Sequence, residues 1–184
     1  MSEKSKVSYP LFESFKDKLK PKHSQAQMTL SQVNIFGRLS WQELKIVEHA
    51  IHIRNYAPDE PIFKQGDPGS GMYIIIEGRV GIFLDIPQQK PKKLSELGEG
   101  DFFGEIALLD ESPRTATATA LESCTIIGFY RPDLMDILKI KPSVGGKIIL
   151  SLSEVLATRL RTTNSELVKV SRQLEELTET DDDE

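Results

Sequence analysis

The sequence predicts a mainly β fold with flanking helices, and two patterns support this class. After about residue 52, short runs of β-branched and apolar residues alternate with turn signals such as Gly66-Asp67-Pro68-Gly69. Short strands at this spacing are typical of an antiparallel sandwich or barrel. Before and after this region, apolar residues recur with a helical period instead. With 184 residues, the chain is long enough for one such domain and its appendages.

The N-terminal zone, residues 1–34, is rich in lysine and is interrupted by Pro10 and Pro21. We predict a partly helical extension, because four apolar residues share one helical face: Leu11, Phe12, Phe15 and Leu19. Docking of this helix on the main domain is the simplest interpretation. A partner-binding arm and a mobile tail are the alternatives.

The central zone, residues 35–141, starts with a predicted helix and continues with strands. Ser40 and Glu43 have the spacing of a capping box, and the helix is predicted to run to about His52. Five strands are predicted after it: Met72–Ile76, Val80–Leu84, Pro91–Leu97, Thr115–Leu121 and Thr125–Tyr130. A short helix from Pro132 to about Lys139 closes this zone.

The C-terminal zone is predicted as a long helix over residues 142–178, followed by an acidic tail at 179–184. Seam positions recur in steps of four and three, as in a coiled coil: Ile149, Ser153, Leu156, Leu160, Thr163, Leu167, Val170, Leu174 and Leu177. We therefore predict a homodimer through this helix, and a monomer with the helix folded back on the β domain is the alternative. Gly145-Gly146 predicts either a hinge or close packing near the start of the helix.

Composition limits the function classes. The net charge of −5 argues against a nucleic-acid surface, which needs clustered lysine and arginine. The single cysteine, Cys124, precludes an internal disulfide and favours a cytoplasmic location. No apolar run reaches the ~20 residues that span a bilayer, so no membrane partner is expected. The histidines precede the strands without metal-ligand spacing, and no nucleophile–base pair is visible, so neither a metal site nor an enzyme is predicted.

The most informative segment is residues 101–118, DFFGEIALLDESPRTATA. Gly104 lets a ligand approach the backbone closely, and Glu105 supplies a carboxylate that can accept a hydrogen bond from a ribose hydroxyl. The N–H groups of Ile106 and Ala107 open a helical turn, where an anion is favoured. Arg114 can reach the same anion with a planar fork of donors. This set predicts a cradle for one ribose and one phosphate.

The segment FGEIALLDESPRTATATA at 103–120 resembles the phosphate-binding cassette of the cyclic-nucleotide-binding domain. That family includes protein kinase A regulatory subunits, cyclic-nucleotide-gated channels and the bacterial catabolite activator protein. The resemblance runs from roughly Ile35 to Leu167. It implies an eight-stranded antiparallel β-roll, jelly-roll-like, with a cassette helix between two strands and a long C-terminal dimerisation helix. The implied ligand is cAMP or cGMP, with no metal.

The resemblance also implies a role for each site residue. Glu105 would accept the ribose 2′-hydroxyl and Arg114 would bind the cyclic phosphate. The backbone N–H groups of Ile106, Ala107 and Thr115 would complete the phosphate site. Three apolar residues would line the wall beside sugar and base: Val80, Leu94 and Phe103. For Val80 and Leu94, plain core packing is the alternative.

The choice of base depends on Thr115 and on the C-terminal helix. A threonine after the cassette arginine resembles the cGMP-preferring pattern of eukaryotic members. However, LSEVLATRLRTTNSELV resembles the matching helix of the catabolite activator, in which a Thr-Ser pair contacts adenine across the dimer. Thr163-Asn164 lies in register with that pair, and Arg159 matches an arginine near the ligand. Because no aromatic residue follows Tyr130, the base would be covered by this helix, and cAMP is favoured over cGMP.

We therefore expect a cyclic-nucleotide sensor that couples ligand binding to movement of its C-terminal helix and acts on a downstream protein that the sequence does not name. One alternative is a fragment of a transcription regulator of the catabolite-activator type. Direct DNA binding is not expected, because only about 17 residues follow Leu167 in this sequence, and seven of them are acidic. The other alternative is a degenerate interaction module without ligand. It is disfavoured by the intact cassette residues Gly104, Glu105, Arg114 and Ala116.

Overall fold

The fold is an antiparallel β-roll with a helical layer on one side, which confirms the predicted class. The computed structural model describes residues 23–181, and side chains as far as residue 174. The predicted N-terminal helix with Leu11, Phe12, Phe15 and Leu19 lies outside the described residues, as does the end of the acidic tail. In the described part of the chain, eight strands form two four-stranded sheets, in the orders β1-β8-β3-β6 and β2-β7-β4-β5.

The strands and helices follow one another in a simple order along the chain. Within residues 23–181, the helices are α1 (Gln25–Gln32), α2 (Trp41–Glu48), α3 (Arg131–Ile140) and α4 (Pro142–Asp181). The strands are β1 (Ile51–Tyr56), β2 (Pro61–Phe63), β3 (Gly71–Glu77), β4 (Val80–Leu84), β5 (Lys92–Leu97), β6 (Phe102–Phe103), β7 (Thr117–Ala120) and β8 (Cys124–Tyr130). Two 3₁₀ turns complete the set, at Asn34–Phe36 and at Glu105–Leu108. We call the second one the cassette turn.

Strand β3 separates two hydrophobic cores. Its residues alternate between faces, so that Met72 and Ile74 contact the helical layer while Tyr73 and Ile75 point into the roll. On the sheet, β3 pairs with β8 along most of its length. Because both faces of β3 are covered, its sequence is a continuous apolar run rather than an alternating one.

Helix α2 ends earlier than predicted. Its capping box is present, since the Ser40 side chain accepts from the Glu43 N–H and the Glu43 carboxylate accepts from the Ser40 N–H. The prediction that it continues to His52 is wrong, because the helix ends at Glu48 and His52 lies in β1. Strand β1 pairs with β8 from Ile51 to Tyr56, and this long-range pairing overrides the local helical pattern.

Helix α4 has a docked part and an exposed part. Val144, Ile148 and Leu152 are buried against α3, the first 3₁₀ turn and β3, whereas residues 157–174 are exposed. Gly145 permits the close approach to α3, because a Cβ there would lie 2.6 Å from Leu138 Cδ2. Close packing, rather than a hinge, therefore explains this glycine.

Two ion pairs hold the docked part of α4 to the segments before the roll. Lys147 Nζ lies 2.7 Å from Glu43 Oε1 of α2, and Arg38 Nη2 lies 2.6 Å from Glu154 Oε1. Hydrogen bonding to Lys147 lowers the pKa of Glu43 below its usual value. Within residues 23–181, no helix combines the length and apolar character needed to cross a membrane.

Candidate binding site in the roll

The site is built around a left-handed residue at the start of the cassette turn. Gly104 follows β6 with φ of 71° and ψ of 17°, a conformation that costs little only for glycine. A Cβ on Gly104 would lie 2.7 Å from Arg114 Nη1. Gly104 therefore provides both the turn and the space that the guanidinium occupies.

Arg114 is a buried cation without a carboxylate partner. Only 7% of the residue is exposed, and its Nη2 and Nη1 donate to the carbonyl oxygens of Gly71 and Gly104 at 2.7 and 3.1 Å. Its Nε is buried and has no hydrogen-bond partner. Among the side chains of residues 23–174, no carboxylate forms an ion pair with Arg114. Burial lowers the pKa of Arg114 below its usual value, although the group stays charged.

Two aromatic rings lie against the guanidinium. Arg114 Cζ is 4.2 Å from the centroid of the Phe63 ring and 5.6 Å from that of Tyr73. The Phe63 and Tyr73 rings also contact each other, with centroids 5.6 Å apart. Burial raises the pKa of Tyr73 above its usual value.

Glu105 connects the cassette turn to α4. Its carboxylate is almost completely buried, with 4% of the side chain exposed, and its Oε1 accepts a hydrogen bond from Arg159 Nη1. Arg159 also donates from Nη2 to the Phe102 carbonyl oxygen at 3.4 Å and lies over the Phe102 ring. The other carboxylate oxygen of Glu105 accepts no hydrogen bond from the described part of the chain.

These groups surround a cavity of about 310 Å³, near the lower end of the range for small-molecule sites. Its lining comprises Phe63, Ile82, Ser95, Leu97, Phe102, Phe103, Gly104, Glu105, Ile106, Ala107, Ser112, Pro113, Arg114, Thr115, Ala116 and Arg159. A cation lies on one side and a carboxylate on another, with apolar walls between them. Such a cavity can bind a small ligand that carries an anionic group, a hydroxyl group and an apolar face.

Backbone donors add to the anion side of the cavity. The N–H groups of Ile106 and Thr115 donate to no acceptor in the described residues, whereas the Ala107 N–H donates to the Gly104 carbonyl oxygen at 3.3 Å. Two of the three backbone donors proposed from the sequence are thus free to bind a ligand.

Eight of the predicted site residues line this cavity: Phe103, Gly104, Glu105, Ile106, Ala107, Arg114, Thr115 and Arg159. Val80 does not, because it is fully buried in the core inside the roll. Leu94 is 52% exposed and lies at an irregularity in the β4–β5 pairing, away from the cavity. Thr163 and Asn164 are exposed on α4, beyond its docked part.

Several lining residues were not found from the sequence. Phe63 belongs to a three-residue strand that begins with a proline and gives no recognisable strand pattern. Ser95 and Leu97 lie on the opposite face of β5 from Leu94, so strand alternation would have identified them once the inward face was known. Among the described side chains, no group of three or more His, Cys, Asp or Glu could hold a metal ion.

Comparison with known proteins gives consistent findings. Residues 53–141 match the model of a family described as the cyclic nucleotide-binding domain. The cyclic AMP receptor protein of Thermus thermophilus is 33% identical over 133 residues, which are 72% of this chain and 60% of that protein. A CRP-like cAMP-activated global transcriptional regulator of Mycobacterium tuberculosis is 28% identical over 75% of this chain and 60% of its own length. This chain thus spans about 60% of the length of both relatives.

A solved structure supports the same fold. The crystal structure of the Thermus thermophilus catabolite activator protein superposes with a TM-score of 0.68 and 32% sequence identity. The superposition covers 75% of this chain and 63% of that chain.

Proposed function

Because residues 53–141 of this chain belong to the cyclic nucleotide-binding domain family, we propose that the chain is a cyclic-nucleotide sensor. Its ligand, cAMP in preference to cGMP, occupies the cassette cavity, and binding is coupled to the position of α4. The observation that carries this proposal is Arg114, a buried guanidinium without a carboxylate partner among the described residues.

A buried charge without a direct ion pair is unfavourable, so the site favours a ligand that brings a negative charge. The cyclic phosphate supplies one negative charge and oxygen atoms that can accept hydrogen bonds. The unpaired Arg114 Nε and the N–H groups of Ile106 and Thr115 can donate to those oxygens. The phosphate would therefore satisfy donors that the unliganded protein leaves unsatisfied.

Glu105 gives the site its preference for a ribose. Its free carboxylate oxygen can accept a hydrogen bond from the 2′-hydroxyl while Arg159 keeps the other oxygen paired. Phe103, Ile82 and Leu97 provide an apolar wall for the sugar and base. Both functional groups of a ribose cyclic phosphate thus have a partner in one cavity.

The preference for cAMP is supported by the names of the two relatives, a cyclic AMP receptor protein and a cAMP-activated regulator. Thr115 lines the cavity next to Arg114, where its hydroxyl is also able to bind a guanine. Because Thr163 and Asn164 are exposed and outside the cavity, they can cover the base only after α4 moves or from a second copy of the chain. The ranking of cAMP over cGMP therefore depends on the liganded position of α4.

We further propose that α4 forms a homodimer through its exposed part. Leu160 and Leu167 are 62% and 63% exposed and lie seven residues apart on one helical face. The first seam positions, Ile149 and Leu156, pack instead against the core of their own domain. The dimer contact would thus begin near Leu160.

Titration calorimetry with cAMP, cGMP and non-cyclic AMP tests the proposal. Wild type should bind cAMP more tightly than cGMP, and Arg114→Ala should lose about 3–5 kcal/mol of binding free energy because the phosphate is left unpaired. That loss corresponds to roughly two to four orders of magnitude in Kd. Arg79→Ala is the matched control, since Arg79 pairs with Glu96 and Glu122 on the surface. Equal affinity of Arg114→Ala and wild type would refute the site assignment.

A second candidate is the ligand-sensing part of a transcription regulator, as the relative from Mycobacterium tuberculosis is named. An electrophoretic mobility assay at low salt, with and without cAMP, tests whether this chain binds DNA by itself, and a shift would favour the second candidate. The sensor proposal expects no DNA shift under either condition.

A further inference from the structure

The ring of Phe63, a residue of β2 outside the cassette, lies against the Arg114 guanidinium of the proposed site. We propose that Phe63 is a positioning residue, whose ring holds the Arg114 guanidinium in the orientation that binds the ligand phosphate. This inference rests on the proposed function and adds to it a residue outside the cassette. It starts from the 4.2 Å separation between Arg114 Cζ and the centroid of the Phe63 ring.

The guanidinium is held on three sides. Its Nη2 and Nη1 donate to the carbonyl oxygens of Gly71 and Gly104, and Phe63 covers one side of the group. These contacts use the two terminal nitrogens and leave Nε without a partner. The guanidinium is therefore fixed in place before any ligand binds, and a donor remains for the ligand.

The ring itself is held firmly. Its centroid lies 5.6 Å from that of Tyr73 and 5.9 Å from that of Phe103, two rings that also stack on each other. Phe63 therefore belongs to an aromatic cluster rather than to a mobile loop. A ring fixed in this way can determine where the guanidinium lies.

The backbone fixes Phe63 and Arg114 relative to each other. Phe63 pairs with Ala118 of β7, which follows Arg114 by four residues. In the loop after β2, the Gly66 N–H donates to the Arg114 carbonyl oxygen at 2.9 Å, and the Arg114 N–H donates to the Asp67 carbonyl oxygen at 2.8 Å. These bonds tie the end of β2 directly to the cassette arginine.

An aromatic ring suits this position better than a carboxylate would. A carboxylate would neutralise Arg114 and use the donors that a phosphate needs. The negative face of an aromatic ring attracts the cation without using an N–H donor, and the interaction is strongest where water is excluded. Phe63 can thus stabilise the buried charge while leaving it available to the ligand.

The test compares cAMP affinity in Phe63→Leu and Phe63→Tyr. We expect Phe63→Leu to bind cAMP roughly five- to thirtyfold more weakly, as expected for loss of a desolvated cation–π contact. Phe63→Tyr keeps the aromatic face and should therefore retain a cAMP affinity near the wild-type value. Phe83→Leu is the matched control, because Phe83 is a half-buried phenylalanine of the same roll that does not line the cavity.

Each outcome has a defined consequence. An equal loss in Phe63→Leu and Phe83→Leu, or no loss in Phe63→Leu, overturns the inference while leaving the proposed function intact. Failure of the wild type to bind any cyclic nucleotide overturns the proposed function and this inference together. If Phe63→Leu does not fold, Phe63→Met replaces the ring by another flexible apolar side chain and gives the same comparison.

Discussion

At the scale of single residues, the site depends on the mutual fit of Gly104 and Arg114. Gly104 adopts φ of 71°, and the Arg114 guanidinium occupies the space that a Cβ on Gly104 would need. Arg114 in turn donates to the Gly104 carbonyl oxygen. The turn and the cation therefore stabilise each other, and a change at either position affects both.

Gly104→Ala should weaken cAMP binding by about tenfold or more. The new Cβ would lie 2.7 Å from Arg114 Nη1, so the guanidinium must shift away from its two carbonyl partners. The left-handed backbone also costs roughly 1–2 kcal/mol for a residue with a side chain. Calorimetric titration gives the affinity, and urea unfolding gives the free energy of unfolding.

Gly100→Ala separates these two effects. Gly100 has φ of 84° but no atom within 4 Å of an added Cβ, so the variant carries the backbone strain without the clash. We expect a similar loss of stability and an unchanged cAMP affinity. Equal affinities for Gly104→Ala and Gly100→Ala would contradict the proposed dependence of Arg114 on Gly104.

The residues of the cassette could be predicted from the sequence because they are close together in the chain. Gly104, Glu105 and Arg114 lie within eleven positions, and their spacing is a recognisable motif. Phe63 and Ile82 reach the same cavity only through strand pairing between distant segments, on β2 and β4. Local patterns do not contain that pairing, so the apolar wall was predicted less well than the polar groups.

At the scale of secondary-structure elements, Glu43 joins two helices. It completes the capping box of α2, and its carboxylate binds Lys147 Nζ of α4 at 2.7 and 2.8 Å. The pKa of Glu43 is lowered in the folded state, mainly by the hydrogen bond from Lys147. The ionised group therefore contributes stability above its unfolded pKa of about 4.3, and this contribution is lost as the pH falls through the lowered folded pKa.

Glu43→Gln should lower the free energy of unfolding at pH 7 by about 0.5–1 kcal/mol. Glutamine keeps the capping box, so this loss reports the charge pair alone. The difference from wild type should shrink as the pH falls below the unfolded pKa of about 4.3, and it should disappear once the pH is below the lowered folded pKa of Glu43. Urea unfolding at pH 7, 5 and 3.5 measures it, and a difference that does not shrink between pH 5 and pH 3.5 would contradict the assignment.

The ends of helices and strands were predicted best where a sequence signal next to the boundary determines them. The capping box located the start of α2, and Pro132 located the first turn of α3. The end of α2 was missed because β1 is an edge strand with four consecutive exposed residues, His52 to Asn55. Such a strand lacks an alternating pattern and is defined by its pairing with β8.

The exposed part of α4 is expected to dimerise. Leu167→Glu should convert the protein from dimer to monomer in sedimentation equilibrium, because it places a charge in the proposed apolar seam. Val168→Glu is the control, since Val168 is also exposed on α4 but lies outside the seam. A wild-type protein that sediments as a monomer at all concentrations would refute the dimer.

At the scale of the whole molecule, two contacts form a short route from the cavity to α4. Glu105 lies in the cavity and its carboxylate binds Arg159, which projects from α4 onto the Phe102 ring. Nearer the start of α4, Lys147 and Glu154 hold the docked part of the helix to Glu43 and Arg38. The helix is thus anchored near its beginning. Among its described side chains, Arg159 alone lines the ligand site.

A ligand hydroxyl that binds Glu105 must share the carboxylate with Arg159, so ligand and helix act on the same group. A ligand that binds one arrangement of this pair better shifts the protein toward that arrangement, by a coupling free energy that is typically about 1–3 kcal/mol.

We therefore expect cAMP to slow amide hydrogen exchange in residues 157–170 of the wild type by about fivefold or more. In Arg159→Met, which keeps an apolar stem on Phe102, cAMP should still bind but should leave this exchange unchanged. Arg161→Met is the control, because among the described residues Arg161 donates only to Thr158 Oγ1 on the same helix. Equal slowing in Arg159→Met and Arg161→Met would show that the signal reaches α4 by another route.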